Sequence, residues 1–394
     1  MGTETRHYTL ENIFRAAIAQ QKAVAVWRLP LSEQVQACIS LQQSYTTSLP
    51  NLEQSPFGFL FCPFHTSGQE QQLFIKGDLC FDATSQSITA AADAPAAAVE
   101  GFTEALQSIE HASLGWHSSD ATQASYQTEA GFKTAVEKAV AAITAEEMEK
   151  VVLSRNFSEV VPASFSPVAA FEQMLQTYPN AFVSLVSVPG VGTWMGASPE
   201  ILVSIDQNNI FKTVALAGTQ PLTEDGCTSS AIWRQKEIEE QAMVERYILS
   251  CFKKLRLREY SEIGPRTVVA GNLMHLRTDF KVDTKEVDFP TLGTDMLHLL
   301  HPTSAVCGLP KEPALEFILQ HEGYDRSYYS GYLGPVNSSA GTHLFVNLRC
   351  MQLLATDAIL YAGAGITGES SPEKEWQETQ HKMQTMQRVL ANFK

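Results

Sequence analysis

The chain has 394 residues, more than one ordinary domain needs, so two domains or one large α+β unit are the starting options. Hydrophobic residues make up 44% and charged residues 18%, which excludes a disordered chain. The formal charge of -15, with no cluster of Lys and Arg, argues against nucleic acid and anionic lipid as partners; an anionic ligand needs its own pocket of positive charge.

Residues 8–44 carry short helical patterns, and a strand is expected to start at Trp27-Arg28-Leu29-Pro30. The runs FGFLFCPF (57–64) and LFIKGDLCF (73–81) read as two buried strands around a polar turn. Residues 83–100 and 111–128, rich in Ala, Ser, Thr, Gln and His, read as surface loops around a short helix. The change of composition near residue 125 divides the chain into 1–125 and 126–394.

Beyond that boundary the spacing predicts a helix over 129–143, a strand over 150–155 and a helix over 167–177. Strands follow at 181–188, 193–196, 200–205 and 211–217, then a long helix at 231–256. Strand-like segments near 267–280 precede helices at 288–299 and 312–321. Strands at 342–354 and 358–363 lead through a Gly-rich turn into a terminal helix, 372–393. Adjacent strands separated by helices imply an α+β fold with large mixed or antiparallel sheets layered with helices, not alternating βαβ units.

The seven cysteines (Cys38, Cys62, Cys80, Cys227, Cys251, Cys307, Cys350) are scattered and include no CxxC pair, which disfavours a disulfide framework or a zinc site. The polar N-terminus MGTETRHYTLENIF lacks a signal-peptide pattern, and no apolar run reaches membrane-spanning length. The expectation is a soluble, cytoplasmic protein.

Two helices place carboxylates on their apolar stripes. In 231–256 the stripe is Val244, Ile248, Cys251 and Leu255, and Glu237 and Glu240 extend it, while Glu239 and Glu245 point away. In 372–393 the stripe is Met386, Val389, Leu390 and Phe393, extended by Glu375, Glu378 and Lys382. Buried acids are costly unless paired or bound to a cation, and carboxylates without Cys or His suit Mg²⁺. The alternative is that these glutamates lie past the core edge, in water, with Glu375 and Glu378 suiting a helix N-terminus.

The segment Gly363-Ala-Gly365-Ile-Thr-Gly368 matches G-x-G-x-x-G, but position 383 is Met where a dinucleotide site needs an acid. The dinucleotide reading fails. Either backbone N–H groups near a helix start hold an anion there, or the turn needs Gly for its backbone angles.

Nine segments form a recognisable set: KVVLSR (150–155), GASPEIL (196–202), LAGT (216–219), KEIEEQAMV (236–244), HPTSAVCGLP (301–310), YSGYLG (329–334), NLRC (347–350), YAGAGI (361–366) and SPEKEWQET (371–379). In this order they resemble the chorismate-utilising enzymes over residues 130–394, and among these the isochorismate synthases most. Residues 1–125 match loosely. The chain departs from the family's usual pattern at Glu237 (often Asp), Gln241 (often His) and Gln220 (often Arg).

The resemblance implies Mg²⁺-dependent conversion of chorismate to isochorismate in 126–394, feeding menaquinone or a catechol siderophore, by a protein that is monomeric. It implies Lys150 as the base that activates water, Glu200 as the acid that releases the C4 hydroxyl, and His301 near the leaving group. It implies Mg²⁺ held by Glu240 and Glu378, with Glu237 and Glu375 close by. Gly218 and Thr219 would touch the departing hydroxyl, and Tyr329, Arg349, Lys382 and the backbone around Gly363 and Gly365 would bind substrate carboxylates. Lysine at 150, where amine-adding members carry a non-basic residue, favours water addition. Salicylate synthase, which goes on to eliminate pyruvate, is the alternative, and a non-catalytic chorismate-binding protein a more remote one.

Overall fold

In this computed structural model, residues 7–47, 50–66, 71–109, 115–119, 126–221, 228, 231–270 and 273–394 are described. The chain begins α1 (Leu10–Ala19), β1 (Ala23–Arg28), β2 (Val35–Ser40), β3 (Gly58–Cys62), β4 (Leu73–Lys76), β5 (Leu79–Asp82), β6 (Ser87–Ala90), α2 (Ala96–Ser108). It continues α3 (Glu129–Thr144), β7 (Lys150–Val160), α4 (Pro167–Thr177), β8 (Phe182–Val188), β9 (Gly192–Ser198), β10 (Ile201–Asp206), β11 (Ile210–Pro221), α5 (Gln235–Lys254). The last part is β12 (Ser261–Ala270), β13 (Leu273–Asp283), α6 (Leu292–Leu300), β14 (Gly308–Leu309), α7 (Lys311–His321), β15 (Tyr332–Val336), β16 (Gly341–Val346), β17 (Cys350–Leu353), β18 (Asp357–Ile366) and α8 (Pro372–Ala391).

The strands form two sheets. One has ten strands in the order β14-β7-β18-β17-β9-β8-β1-β2-β5-β6, the other eight in the order β12-β13-β11-β10-β16-β15-β3-β4. Every pairing between named strands is antiparallel, for example β1 with β8 and β3 with β15. The α+β expectation therefore holds, in its antiparallel form. Strands from before residue 125 extend both sheets.

The sheets pack face to face, and strand alternation decides what lies between them. On β1, Ala23, Ala25 and Trp27 face the second sheet, while Val24 and Val26 face the helical layer that includes α1 and α4. Both faces are covered, so the strand reads as an unbroken apolar run. Between the sheets, Phe182 stacks on Phe345 with centroids 4.2 Å apart. Burying a side chain of this size contributes about 2 kcal/mol. Local signals start the helices: Thr128 Oγ1 accepts from Gly131 N at α3, and Ser166 Oγ accepts from Ala169 N before Pro167 at α4.

Several sequence expectations need correction. Within 8–44 only α1 is helical; 35–40 is a strand, and Trp27 lies near the end of β1. The runs 73–81 and 342–354 each split into two strands belonging to different sheets: β4 and β5 separate at Gly77-Asp78, β16 and β17 at 347–349. Gly77 fits because a Cβ there would lie 2.2 Å from the Phe57 ring. The chain makes the same passage between sheets at Pro199-Glu200. Among the described residues no helix is long and apolar enough to cross a membrane.

Candidate active site

Two of those sheet-to-sheet passages open onto one cavity. Pro199-Glu200 brings Glu200 to its wall, and the 347–349 break brings Arg349. Lys150 enters from the start of β7, Gly218 and His275 from β11 and β13, Glu240 from α5, and Glu378 and Lys382 from α8. Tyr329, Ser330, Tyr361, Gly363 and Gly365 complete the polar and backbone lining.

Arg349 does not lie in mid-strand as its neighbours suggest. It precedes β17 with φ of 50°, and Ser330, which also lines the cavity, has φ of 60°. Neither residue is Gly, so both backbones carry strain that the surrounding structure must hold. Asn347 does this: its backbone N donates to Gly331 O at 2.8 Å, its O accepts from Ser330 N at 2.9 Å, and its Nδ2 donates to Tyr328 O at 2.9 Å. The Arg349 guanidinium donates from Nη1 to Thr385 Oγ1 at 3.4 Å.

Gly363 and Gly365 sit inside β18 opposite Ser154 and Val152, not in a turn. Their lack of a side chain is what the cavity uses. A Cβ on Gly365 would lie 3.0 Å from Lys150 Cε and 3.6 Å from Glu240 Oε1; one on Gly363 would lie 3.2 Å from the Tyr329 hydroxyl. The β17 ladder reaches only Leu360, and beyond it Gly363 O accepts from Lys382 Nζ at 2.8 Å.

Charge is concentrated here. Lys150 is 3% exposed, and burial pushes its ammonium below the ordinary lysine range; Glu240 opposes this, while Lys382 and Lys236 add to it. Burial raises the Glu200 carboxyl to about 7 against the pull of Lys150 and Lys382. Burial also raises Glu240, with Lys150 and Lys236 offsetting part of the effect. For Glu378, burial is outweighed by Lys382 at 2.6 Å, Lys236 and Arg349, and its carboxyl is lowered.

Four residues expected in the site are not seen among the cavity's lining side chains. Glu237 turns back to its own helix, its Oε2 accepting from Arg234 N at 2.8 Å. Glu375 pairs with Lys236 at 2.7 Å. Thr219 stands opposite His275 in the β11–β13 ladder, and its side chain lies outside the described residues.

The fourth, His301, has its Nε2 3.1 Å from Pro63 O, and its ring meets Tyr332 edge-on at 4.7 Å. It supports the segment 301–307, from which Ala305 and Val306 reach the cavity. The histidine that lines the cavity is His275. Burial lowers it to about 3, with help from Arg349 and Lys382, and its Nδ1 lies 3.1 Å from Gly218 O. A β-bulge between Ala217 and Thr219, with Gly218 at φ of 60°, makes that contact. In sequence His275 carries no distinguishing signal: it alternates with Arg277 and Asp279, which pair on a partly exposed face farther along β13. Gln241 and Glu245 also differ from expectation. Gln241 is buried and bonds Ala217 N, Ala215 O and Thr278 Oγ1, tying α5 to β11 and β13, and Glu245 accepts from Gln241 and Thr278 instead of facing solvent.

Residues 66–391 match the family model described as chorismate binding enzyme. Isochorismate synthase EntC of Escherichia coli (strain K12) is 31% identical over 266 residues, 66% of this chain and 66% of that protein, just under two thirds of each. Anthranilate synthase component 1 of Streptomyces coelicolor is 29% identical over 75% of this chain and 57% of its own length. The structure of MenF, the menaquinone-specific isochorismate synthase from Escherichia coli, superposes with a TM-score of 0.76 at 21% identity, covering 98% of this chain and 93% of that one, which establishes the shared fold. With a family match spanning most of its length and a cavity at the junction of its two sheets, the chain belongs to the chorismate-binding enzymes.

Proposed function

We propose that the protein converts chorismate to isochorismate. The observation that carries this reading is the pair of buried groups with shifted proton affinities on one cavity: Lys150, lowered, and Glu200, raised to about 7. Lys150, in its neutral form, which burial favours, takes a proton from water as the water oxygen attacks C2. Both ring double bonds shift, C1=C2 to C1=C6 and C5=C6 to C4=C5, and Glu200, still protonated near neutral pH, gives its proton to the departing C4 hydroxyl. Atoms balance, because one water enters and one leaves.

Arg349, Tyr329 and Lys382 anchor the two substrate carboxylates, and Arg349 has the planar donor set such a group needs. His275 takes the place near the departing hydroxyl first assigned to His301. With its affinity lowered to about 3 it stays neutral, so it orients by hydrogen bonding and does not supply a proton.

Among the described residues no three or more His, Cys, Asp or Glu side chains cluster as a metal site. Glu240 and Glu378, however, line one cavity and repel each other, which adds to the rise at Glu240. Beside them Glu375 Oε2 is buried without a hydrogen-bond partner. Two carboxylates with room for substrate oxygens and water fit Mg²⁺, which typically takes one or two protein carboxylates. Glu240 and Glu378 would hold it, and a bound ion supplies charge neutralisation and orientation to a substrate carboxylate.

The test is chromatography of the products from chorismate and Mg²⁺ for wild type, Lys150→Ala and Glu200→Gln. Isochorismate from wild type alone is expected. Salicylate as the end product would assign the pyruvate-eliminating reaction instead, and no turnover would overturn the reading.

A further inference from the structure

Arg155 lies on β7, five positions after Lys150, so strand alternation turns it to the opposite face from the cavity. It is 2% exposed. Its Nε donates to Thr379 Oγ1 at 2.7 Å, its Cζ stands 3.8 Å above the Trp376 ring, and its Nη2 has no hydrogen-bond partner. Among the described residues no carboxylate forms an ion pair with it. Arg326, equally buried, is matched by Glu322 at 2.6 Å. A buried guanidinium without an anion is costly, and its retention calls for a compensating role.

Its two partners say what that role is. Trp376 and Thr379 are one turn apart on α8 and interleave with Glu375 and Glu378. Helical spacing puts Glu378 and Lys382 on the cavity side while Trp376 and Thr379 turn toward β7. Trp376 also packs on Phe132 of α3, with centroids 5.8 Å apart, and Thr379 Oγ1 donates to Trp376 O at 2.7 Å. One side chain thus joins the strand that starts with Lys150 to the helix that carries Glu378 and Lys382.

We propose that Arg155 is a positioning residue, setting the rotation and height of α8 over β7 and thereby the placement of Glu378 and Lys382 against Lys150. The inference rests on the functional reading of those three residues. It is tested with Arg155→Met, Arg155→Lys and Thr379→Val, with Phe102→Leu in the distant α2 layer as a control for lost stability. Mn²⁺ affinity is read from the spin-resonance signal of the free ion, without turnover. The half-saturating Mg²⁺ concentration, KM, kcat and Tm are measured beside it.

Arg155→Met is expected to weaken Mn²⁺ binding and raise half-saturating Mg²⁺ about tenfold, with kcat at saturation within about threefold of wild type. Arg155→Lys should recover most of the affinity because it keeps a cation over Trp376. Thr379→Val, nearly isosteric, should give a shift of about threefold and carries the test if Arg155→Met does not fold. Phe102→Leu should lower Tm and leave Mn²⁺ affinity alone. Unchanged Mn²⁺ affinity in Arg155→Met, or an equal loss in Phe102→Leu, overturns the proposal. A wild type that makes no isochorismate defeats the functional reading, and the Mn²⁺ titration still decides on Arg155.

Discussion

The N-terminal layer and the cavity wall both bury charged side chains, but on different terms. In the former, Arg28 on β1 donates to the carbonyls of Leu175, Tyr178 and Ala181 at 3.2, 2.6 and 2.9 Å, and the buried Asp78 accepts from Leu41 N at 2.8 Å. These charges are met by fixed partners, backbone groups for both and Lys76 at 3.1 Å for Asp78, and serve the fold. Around the cavity, Lys150, Glu200, Glu240 and Arg349 face one another across open space, with proton affinities moved by burial. Burial alone does not identify a working residue; what it faces does.

The sharpest way to break that contrast is to remove one charge from each region. Lys150→Ala and Glu200→Gln should each cost about a thousandfold in kcat while leaving Tm unchanged or higher, since each removes a buried ionisable group. Arg28→Met should do the reverse. It strands three carbonyls, lowers Tm by several degrees, and leaves turnover per folded molecule at wild-type level. Loss of activity in Arg28→Met at full folding would collapse the distinction.

Two histidines, His275 and His301, sharpen it, because burial lowers both to about 3. His275→Gln should reduce kcat about a hundredfold, whereas His301→Gln should lower Tm and keep turnover within about threefold. Equal effects on kcat would mean that cavity lining does not separate their roles.

A smaller effect, about tenfold, is expected from filling the space that two glycines leave. Gly365→Ala presses on Lys150 Cε and should lower kcat; Gly363→Ala presses on the Tyr329 hydroxyl and should raise KM. Steady-state kinetics of the two variants would show whether base and anchor are separable.

The same geometry explains what could be read without a structure. The α+β class, the two acid-bearing helices and most late strands follow from periodicity, because each presents a regular apolar face. The antiparallel register does not, since β1 is buried on both sides and has no polar alternation to fix it. The breaks at Gly77-Asp78 and 347–349 are hidden because apolar residues resume directly beyond the short polar interruptions, while the chain changes sheets. Motif resemblance singled out Lys150, Glu200, Glu240, Glu378, Arg349 and Lys382, which the fold gathers on one cavity. It missed His275, whose placement depends on a bulge in a neighbouring strand, a tertiary event with no signature in the pattern of β13.

The smallest effect is a change of stability with pH. Glu200 has its folded-state affinity raised from 4.5 to about 7, so the folded chain holds this proton more tightly than the unfolded chain does. The stability this contributes is complete below 4.5 and is lost as pH rises through about 7. Glutamine cannot ionise and carries no such loss. The Tm of Glu200→Gln relative to wild type should therefore rise between about pH 5 and about pH 8, by a few degrees at most. Differential scanning calorimetry at both pH values measures the gap, and the kcat of wild type should decline over the same range as the proton donor is lost. A gap that does not change with pH would mean that Glu200 is already ionised in the folded protein, and the acid in the proposed reaction would have to come from another group.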